Sequence, residues 1–207
     1  MNRHSSAPFF VAIGAIALTA GCSGGPAPSV PTTPSPAAAS LPYAGAPKVD
    51  RPLPPSVLSG NPCHDALTPE QIKEILGTTA TPPKPENISA TGPSCRWGNL
   101  ESGAGLNVFY DVRTRQGLSS VYQNTKPKTT TWRPLPPIHE LPAVAWSIYT
   151  GIGLDDSCDV SVGIADDYTV DAALNLGRGK AGKADPCELT AKVADMVIGN
   201  LRQRAGS

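Results

Sequence analysis

The sequence predicts an α+β domain: a two-layer sandwich in which a roughly five-stranded antiparallel sheet carries the N- and C-terminal helices on one face, closed by two disulfides. Three observations predict it. Apolar residues recur with a period of two through much of residues 95–175. A segment with helix-start chemistry lies on each side of that region. Four cysteines fall singly near those helix starts and strands.

The first helix opens at Thr68-Pro69-Glu70-Gln71. A threonine N-cap, proline at the first helical position and glutamine at the third satisfy the free N–H groups of a first turn. Ile72, Ile75 and Leu76 make its apolar stripe, and Gly77 supplies the C′ residue that ends it. The last helix opens at Asp185-Pro186-Cys187-Glu188 and runs to about Arg202. Its Leu189, Val193, Met196, Val197 and Leu201 lie at helical spacing.

Between them, Cys95-Arg96-Trp97 begins a short strand before the Gly103–Gly105 turn. Leu106, Val108, Tyr110 and Val112 form the next, then Val144, Trp146 and Ile148. Cys158, Val160, Val162 and Ile164, followed by Tyr168, Val170, Ala172 and Leu174, form the last two, joined at Asp166-Asp167. Clean alternation means one buried and one wetter face. A helix near Gly117–Gln123 and a proline-rich loop over Pro134–Pro142 complete the domain.

Upstream the composition changes. Of the 23 prolines, 10 lie between Ser23 and Gly60. Proline removes backbone donors and fixes φ, so residues 22–60 read as a disordered Pro/Ala/Ser-rich spacer, leaving 61–207 as the globular domain. Fully extended, the spacer would reach on the order of 120 Å. Residues 1–21 read as an export signal: Arg3, then the uncharged run Pro8–Ala20, too short to span a bilayer. It ends in Leu18-Thr19-Ala20-Gly21-Cys22, small residues before a cysteine, which resembles a bacterial lipobox. That resemblance implies a diacylglycerol thioether on Cys22, cleavage just before it, and a lipid-anchored protein on the extracytoplasmic face of the cell membrane. Thr19 holds a position where a larger aliphatic residue is usual.

With Cys22 assigned to the anchor, Cys63, Cys95, Cys158 and Cys187 remain. In an exported domain, four such residues form two disulfides. Of three pairings, two join a helix start to a strand: Cys63–Cys95 with Cys158–Cys187, or Cys63–Cys158 with Cys95–Cys187. Proximity along the chain favours the first. Gaps of 32, 63 and 29 residues do not match zinc-site spacing, and no metal is expected.

These pieces together are similar to the actinobacterial lipoprotein domain known as domain-of-unknown-function family 3558. The matching residues are Cys63-His64-Asp65-Ala66-Leu67-Thr68, Cys95-Arg96-Trp97, Cys158-Asp159-Val160 and Asp185-Pro186-Cys187. The resemblance implies a surface lipoprotein of mycobacteria and their relatives. The family's activity is uncharacterised, so it carries no catalytic residues to this chain.

The residues themselves offer little catalytic chemistry. Seventeen basic and 17 acidic side chains cancel, which argues against nucleic acid as a partner. Gly177–Ala184 fits the spacing of a phosphate-binding loop, but Ala184 stands where that loop needs a hydroxyl for magnesium. A softer reading makes Arg178, Lys180 and Lys183 an anion site beside a helix N-terminus. His64 and His139 are the histidines of the mature chain, and His139 falls in the proline-rich loop. Asp155, Asp156, Asp159, Asp166 and Asp167 sit at strand ends, where turn chemistry is the commoner role. Trp97 and Trp146 read as core, Trp132 as an exposed contact. The expectation is therefore a monomeric, non-enzymatic envelope module without a cofactor, binding an envelope protein, a wall component or a lipid. The alternative is a carrier of a small apolar ligand or lipid in a cavity between helices and sheet.

Overall fold

The structure, a computed structural model, describes residues 40–148 and 156–206. The leader, Cys22, the first part of the spacer and Asp155 lie outside the described residues. The helices are α1 (Pro62–Asp65), α2 (Pro69–Leu76), α3 (Gly117–Ser120), α4 (Gly177–Lys180) and α5 (Pro186–Ala205). The strands are β1 (Lys84–Ile88), β2 (Gly92–Gly98), β3 (Gly105–Asp111), β4 (Thr131–Ile138), β5 (Leu141–Ser147), β6 (Ser157–Ala165) and β7 (Tyr168–Asn175). They form one antiparallel sheet in the order β1-β2-β3-β7-β6-β5-β4.

The α+β class stands, but the sheet has seven strands rather than about five. The two additional strands are its edges. β1 is exposed along most of its length, and β4 is exposed at Arg133, Pro134, Pro136 and Pro137. With neither face well buried, these segments carry no period-two signal. Prolines are tolerated there because an edge strand has N–H groups that need no ladder partner. The expected proline-rich loop is thus half of the β4–β5 hairpin. His139 and Glu140 form its two-residue turn, with φ of 48° and 66°, the left-handed pair such a turn requires.

Two meanders, β1–β3 and β4–β7, join through β3 and β7, which pair from Gly105↔Asn175 to Asp111↔Thr169. The connection between them crosses the sheet and folds as α3, a π-turn over Val121–Thr125 and a 3-10 turn over Lys126–Lys128.

On one face lie α1, α2 and α5. Thr68 and Gln71 close the expected capping box, and Gly77 follows α2 with φ 89°. Asp185 accepts from the N–H groups of Cys187 and Glu188. Val193, Val197, Ile198 and Leu201 of α5 are buried with Leu106, Val108, Val160 and Val162 of the sheet. Burying each such side chain contributes about 1.5–3 kcal/mol. Asn200 ties the helices together by donating to the Ala66 carbonyl (2.9 Å) and to Gln71 Oε1 (2.8 Å). The disulfides are Cys63–Cys95 and Cys158–Cys187, each with Cα atoms 5.0 Å apart. Each joins a helix start to a strand.

The other face is not bare, as a simple two-layer sandwich requires. Ala46 and Leu118 bury Val144 there, packed by Val121, Tyr122, Trp132 and Trp146. The folded unit also begins before Asn61. Tyr43 N–H donates to Ser119 Oγ (2.9 Å), Val49 N–H to Asp166 Oδ1 (2.8 Å) and Leu53 N–H to the Ile164 carbonyl (3.0 Å). Val49, Leu53, Val57 and Leu58 are buried. Proline content hid this segment, whose extended chain packs on the sheet before a short 3-10 turn over Pro55–Leu58.

Candidate functional site

Two regions have the shape or electrostatics of a site. The first is a pair of grooves beside α2. Gly77 ends the helix, and the chain turns back along Thr78–Pro83 to start β1. Asn99 fixes this turn: its side-chain amide donates to the Leu76 carbonyl (2.7 Å) and Thr79 Oγ1 (3.0 Å), and its Oδ1 accepts from the N–H groups of Glu101 and Ser102. The wall of Pro82, Pro83 and Trp97 then separates two open grooves. One, of about 550 Å³, is lined also by Leu67, Ile72 and Lys73. The other, of about 790 Å³, runs past Arg96, Leu100 and Asn107. Leu100 is the most exposed large apolar residue described, at 85 %. Trp97 itself is core, at 3 %, so the wall is rigid. The Cys63–Cys95 bond holds its base.

The second region is the face opposite α5. Strand register sets Trp132 beside Trp146, Trp146 beside Asp159, and Ser161 beside Asp171. Trp146 Nε1–H donates to Ser161 Oγ (3.0 Å), and Thr169 Oγ1–H donates to Asp171 Oδ2 (2.8 Å). Burial pushes the Asp171 carboxyl up to about 6, against the hydroxyls of Ser161 and Thr169, with the charge of Asp111 adding to the rise. Burial likewise pushes Asp159 up to about 7, and the neighbouring Asp171 adds to it. The face therefore holds carboxyls that exchange protons near neutrality. Both described histidines belong to the other side of the sheet. His64 is exposed on α1, and His139 Nε2 lies 3.1 Å from the Asp195 carbonyl and 3.3 Å from its carboxylate, clamping the hairpin to α5.

The other residues singled out by sequence are placed as follows. Arg178 is committed to the β2–β3 turn, its N–H donating to the Ser102 carbonyl (2.8 Å) and its guanidinium to the Glu101 carbonyl (2.9 Å). Lys180 lines a small groove with Glu74, and Lys183 Nζ approaches the Gly179 carbonyl at 3.4 Å. Arg178 and Lys180 both border Ser102, and the Lys183 N–H donates to the Lys180 carbonyl (3.0 Å). The Asp156 and Asp185 carboxylates take the N–H groups of Gly182 and of the α5 first turn. Trp146 packs on the second face rather than in the main core. Trp132 is half-buried, edge-on to Tyr122 with ring centroids 4.9 Å apart. Among the described residues, no cluster of three His, Cys, Asp or Glu has metal-binding geometry. No described helix is long and apolar enough to cross a membrane. Sequence reading missed Asn99, whose role depends on a fold that brings α2 and the β2–β3 turn together, and Asp171, whose burial only the cross-strand register reveals.

No curated protein and no solved structure matches the chain. A family model described as "Protein of unknown function (DUF3558)" matches residues 17–200, most of the chain, including the disulfide-bonded strands and helices and both regions above. The chain belongs to the DUF3558 family.

Proposed function

We propose that this is a lipid-anchored cell-envelope protein of actinobacterial type, whose disulfide-bonded domain is a non-enzymatic binding module working outside the membrane. The observation that carries the binding role is the pair of grooves divided by the rigid Pro82–Pro83–Trp97 wall. Such a wall, with the exposed Leu100 on one side and Lys73 on the other, suits an extended segment of an envelope partner laid across it. The anchoring rests on the leader, on Cys22 beside small residues, and on a family match that begins five residues before that cysteine. The tight packing of Val193, Val197, Ile198 and Leu201 on the sheet, each at most 2 % exposed, favours surface docking over a ligand cavity beneath α5.

The test is capture from native envelope extract on the immobilised domain with its disulfides intact. Leu100→Asp combined with Lys73→Glu should abolish capture of a specific partner while leaving the melting temperature unchanged, because both side chains are exposed. Undiminished capture by that variant would remove the grooves from the proposal. Intact mass of the mature protein tests the anchor, which requires a diacylglycerol adduct on Cys22.

A further inference from the structure

The crossover on the second face carries a long run of positive charge. Between Asp111 and Glu140 there is no acidic residue, while Arg113, Arg115, Lys126, Lys128 and Arg133 all fall there, in a protein whose formal net charge is zero. The three arginines are spoken for. Arg113 donates to the Ile88 carbonyl and Asn87 Oδ1, Arg115 pairs with Asp167, and Arg133 pairs with Asp185. Lys126 and Lys128 are exposed and have no carboxylate partner among the described residues.

Lys126 also has a particular bed. Its ammonium lies 5.2 Å from the centre of the Trp132 ring and 5.3 Å from that of Tyr122. Tyr122 lies in the π-turn and Lys126 opens the 3-10 turn that follows it, four residues on, while Trp132 stands beside Trp146. Just past the end of that strand, two residues beyond Trp146, is Ile148, 47 % exposed, the second of the two large apolar residues most open to solvent. The surface thus combines amphipathic rings, an open aliphatic side chain and uncompensated lysines.

We infer that the surface formed by Tyr122, Lys126, Lys128, Trp132 and Ile148 lies against an anionic lipid bilayer. Tryptophan and tyrosine rings favour the headgroup level, where their apolar bodies leave water while their polar atoms stay wet, and lysine ammonium groups meet lipid phosphates. Charge complementarity selects an anionic surface. Burial pushes the carboxyl of Asp159, beside Trp146 on this face, up to about 7, so it is only partly ionised near neutral pH. The entry point of the chain agrees. Tyr43 is fixed through its N–H to Ser119 and its hydroxyl to Gln116, within a few residues of the π-turn. A tether from Cys22 would join the domain beside this same surface. That argument rests on the proposed anchor, whereas binding of the domain to vesicles does not.

The experiment uses residues 22–207 with Cys22→Ser, which carry no acyl chain and contain the whole folded unit, with vesicles of phosphatidylcholine alone or with 30 % phosphatidylglycerol. Co-sedimentation is expected with the anionic vesicles only, with loss in high salt and quenching of Trp132 by brominated lipid, read in a Trp146→Phe background as the signal lost on further Trp132→Phe, since the core Trp97 also emits. Lys126→Gln with Lys128→Gln should weaken binding about thirtyfold, at roughly 1 kcal/mol per lysine. Near-ultraviolet circular dichroism checks that each variant is folded. Equal binding to both vesicle types, unchanged binding by the double variant, or equal competition by a soluble polyanion without lipid would overturn the inference. Each of those results leaves the acylation of Cys22 untouched. Conversely, a mature protein without the adduct would remove the anchor and leave vesicle binding standing.

Discussion

Asp159→Asn isolates the cost of a carboxylate on the second face. Asp159 lies between Trp146 and Ala173 in the sheet, and no described side chain donates to it. Its carboxyl moves from an ordinary 3.8 to about 7, chiefly by burial. A raised folded value means the native state holds the proton more tightly than the unfolded chain. The stabilisation is complete below about pH 4 and is lost as pH rises through about 7. A shift of about three units corresponds to an upper bound of ~4 kcal/mol. Partial exposure and sharing of the burden with Asp171 reduce it to about 2 kcal/mol. Asparagine, neutral at all pH, should therefore raise stability by about 2 kcal/mol at pH 8 and change it little at pH 4.5. Urea unfolding at pH 4.5, 6, 7 and 8 measures both the gain and the flattening of the wild-type pH dependence. The lowered carboxyls of Glu70 and Asp185 act in the opposite direction, their stabilisation being lost as pH falls below their ordinary values of 4.5 and 3.8, at and below the acid end of this window. A variant no more stable than wild type at pH 8, or a wild type whose stability climbs steadily from pH 5 to 8, would refute the reasoning.

Other perturbations have equally definite outcomes. Replacing Cys158 and Cys187 with serine opens a loop of 29 residues and should cost about 3–4 kcal/mol, read as a lower denaturant midpoint. Gly177→Ala should cost about 2–3 kcal/mol in thermal melts, because φ is 66° and a Cβ would stand 2.5 Å from the Ala104 nitrogen. Asn99→Ala strips partners from the α2 terminus and the β2–β3 turn and should cost about 3 kcal/mol, with hydrogen exchange accelerating first at Gly77–Thr81.

The central strands and both capped helices were legible because a half-buried strand and a surface helix each stamp their period on the sequence. Val160, Val162 and Ile164 alternate because α5 covers one side of β6. The disulfide pairing was legible for a related reason: Cys95, Cys158 and Cys187 sit on elements whose type was readable, and Cys63 lies just before the capped start of α2. β1 and β4 were not legible, since Lys84–Ile88 is exposed on both faces and Thr131–Ile138 carries three prolines. Nor was the packing of Val49 and Leu53, whose burial depends on β6 and β7 rather than on local pattern. The second-face carboxyls illustrate the same limit. Asp171 looks like any strand-alternating polar residue until the register sets it beside Ser161.

The connectivity of the two cross-links bears on how the chain matures. Each cysteine of the domain is bonded to the next one along the sequence, Cys63 to Cys95 and Cys158 to Cys187. A polypeptide threaded through a translocon N-terminus first would present each partner immediately after its mate, with no third thiol between them. With Cys22 taken up by the proposed acyl anchor, oxidation in order of emergence yields the native pairs directly. A simple thiol oxidase suffices for such a chain, and the reshuffling activity of an isomerase, which non-consecutive pairings demand, becomes dispensable.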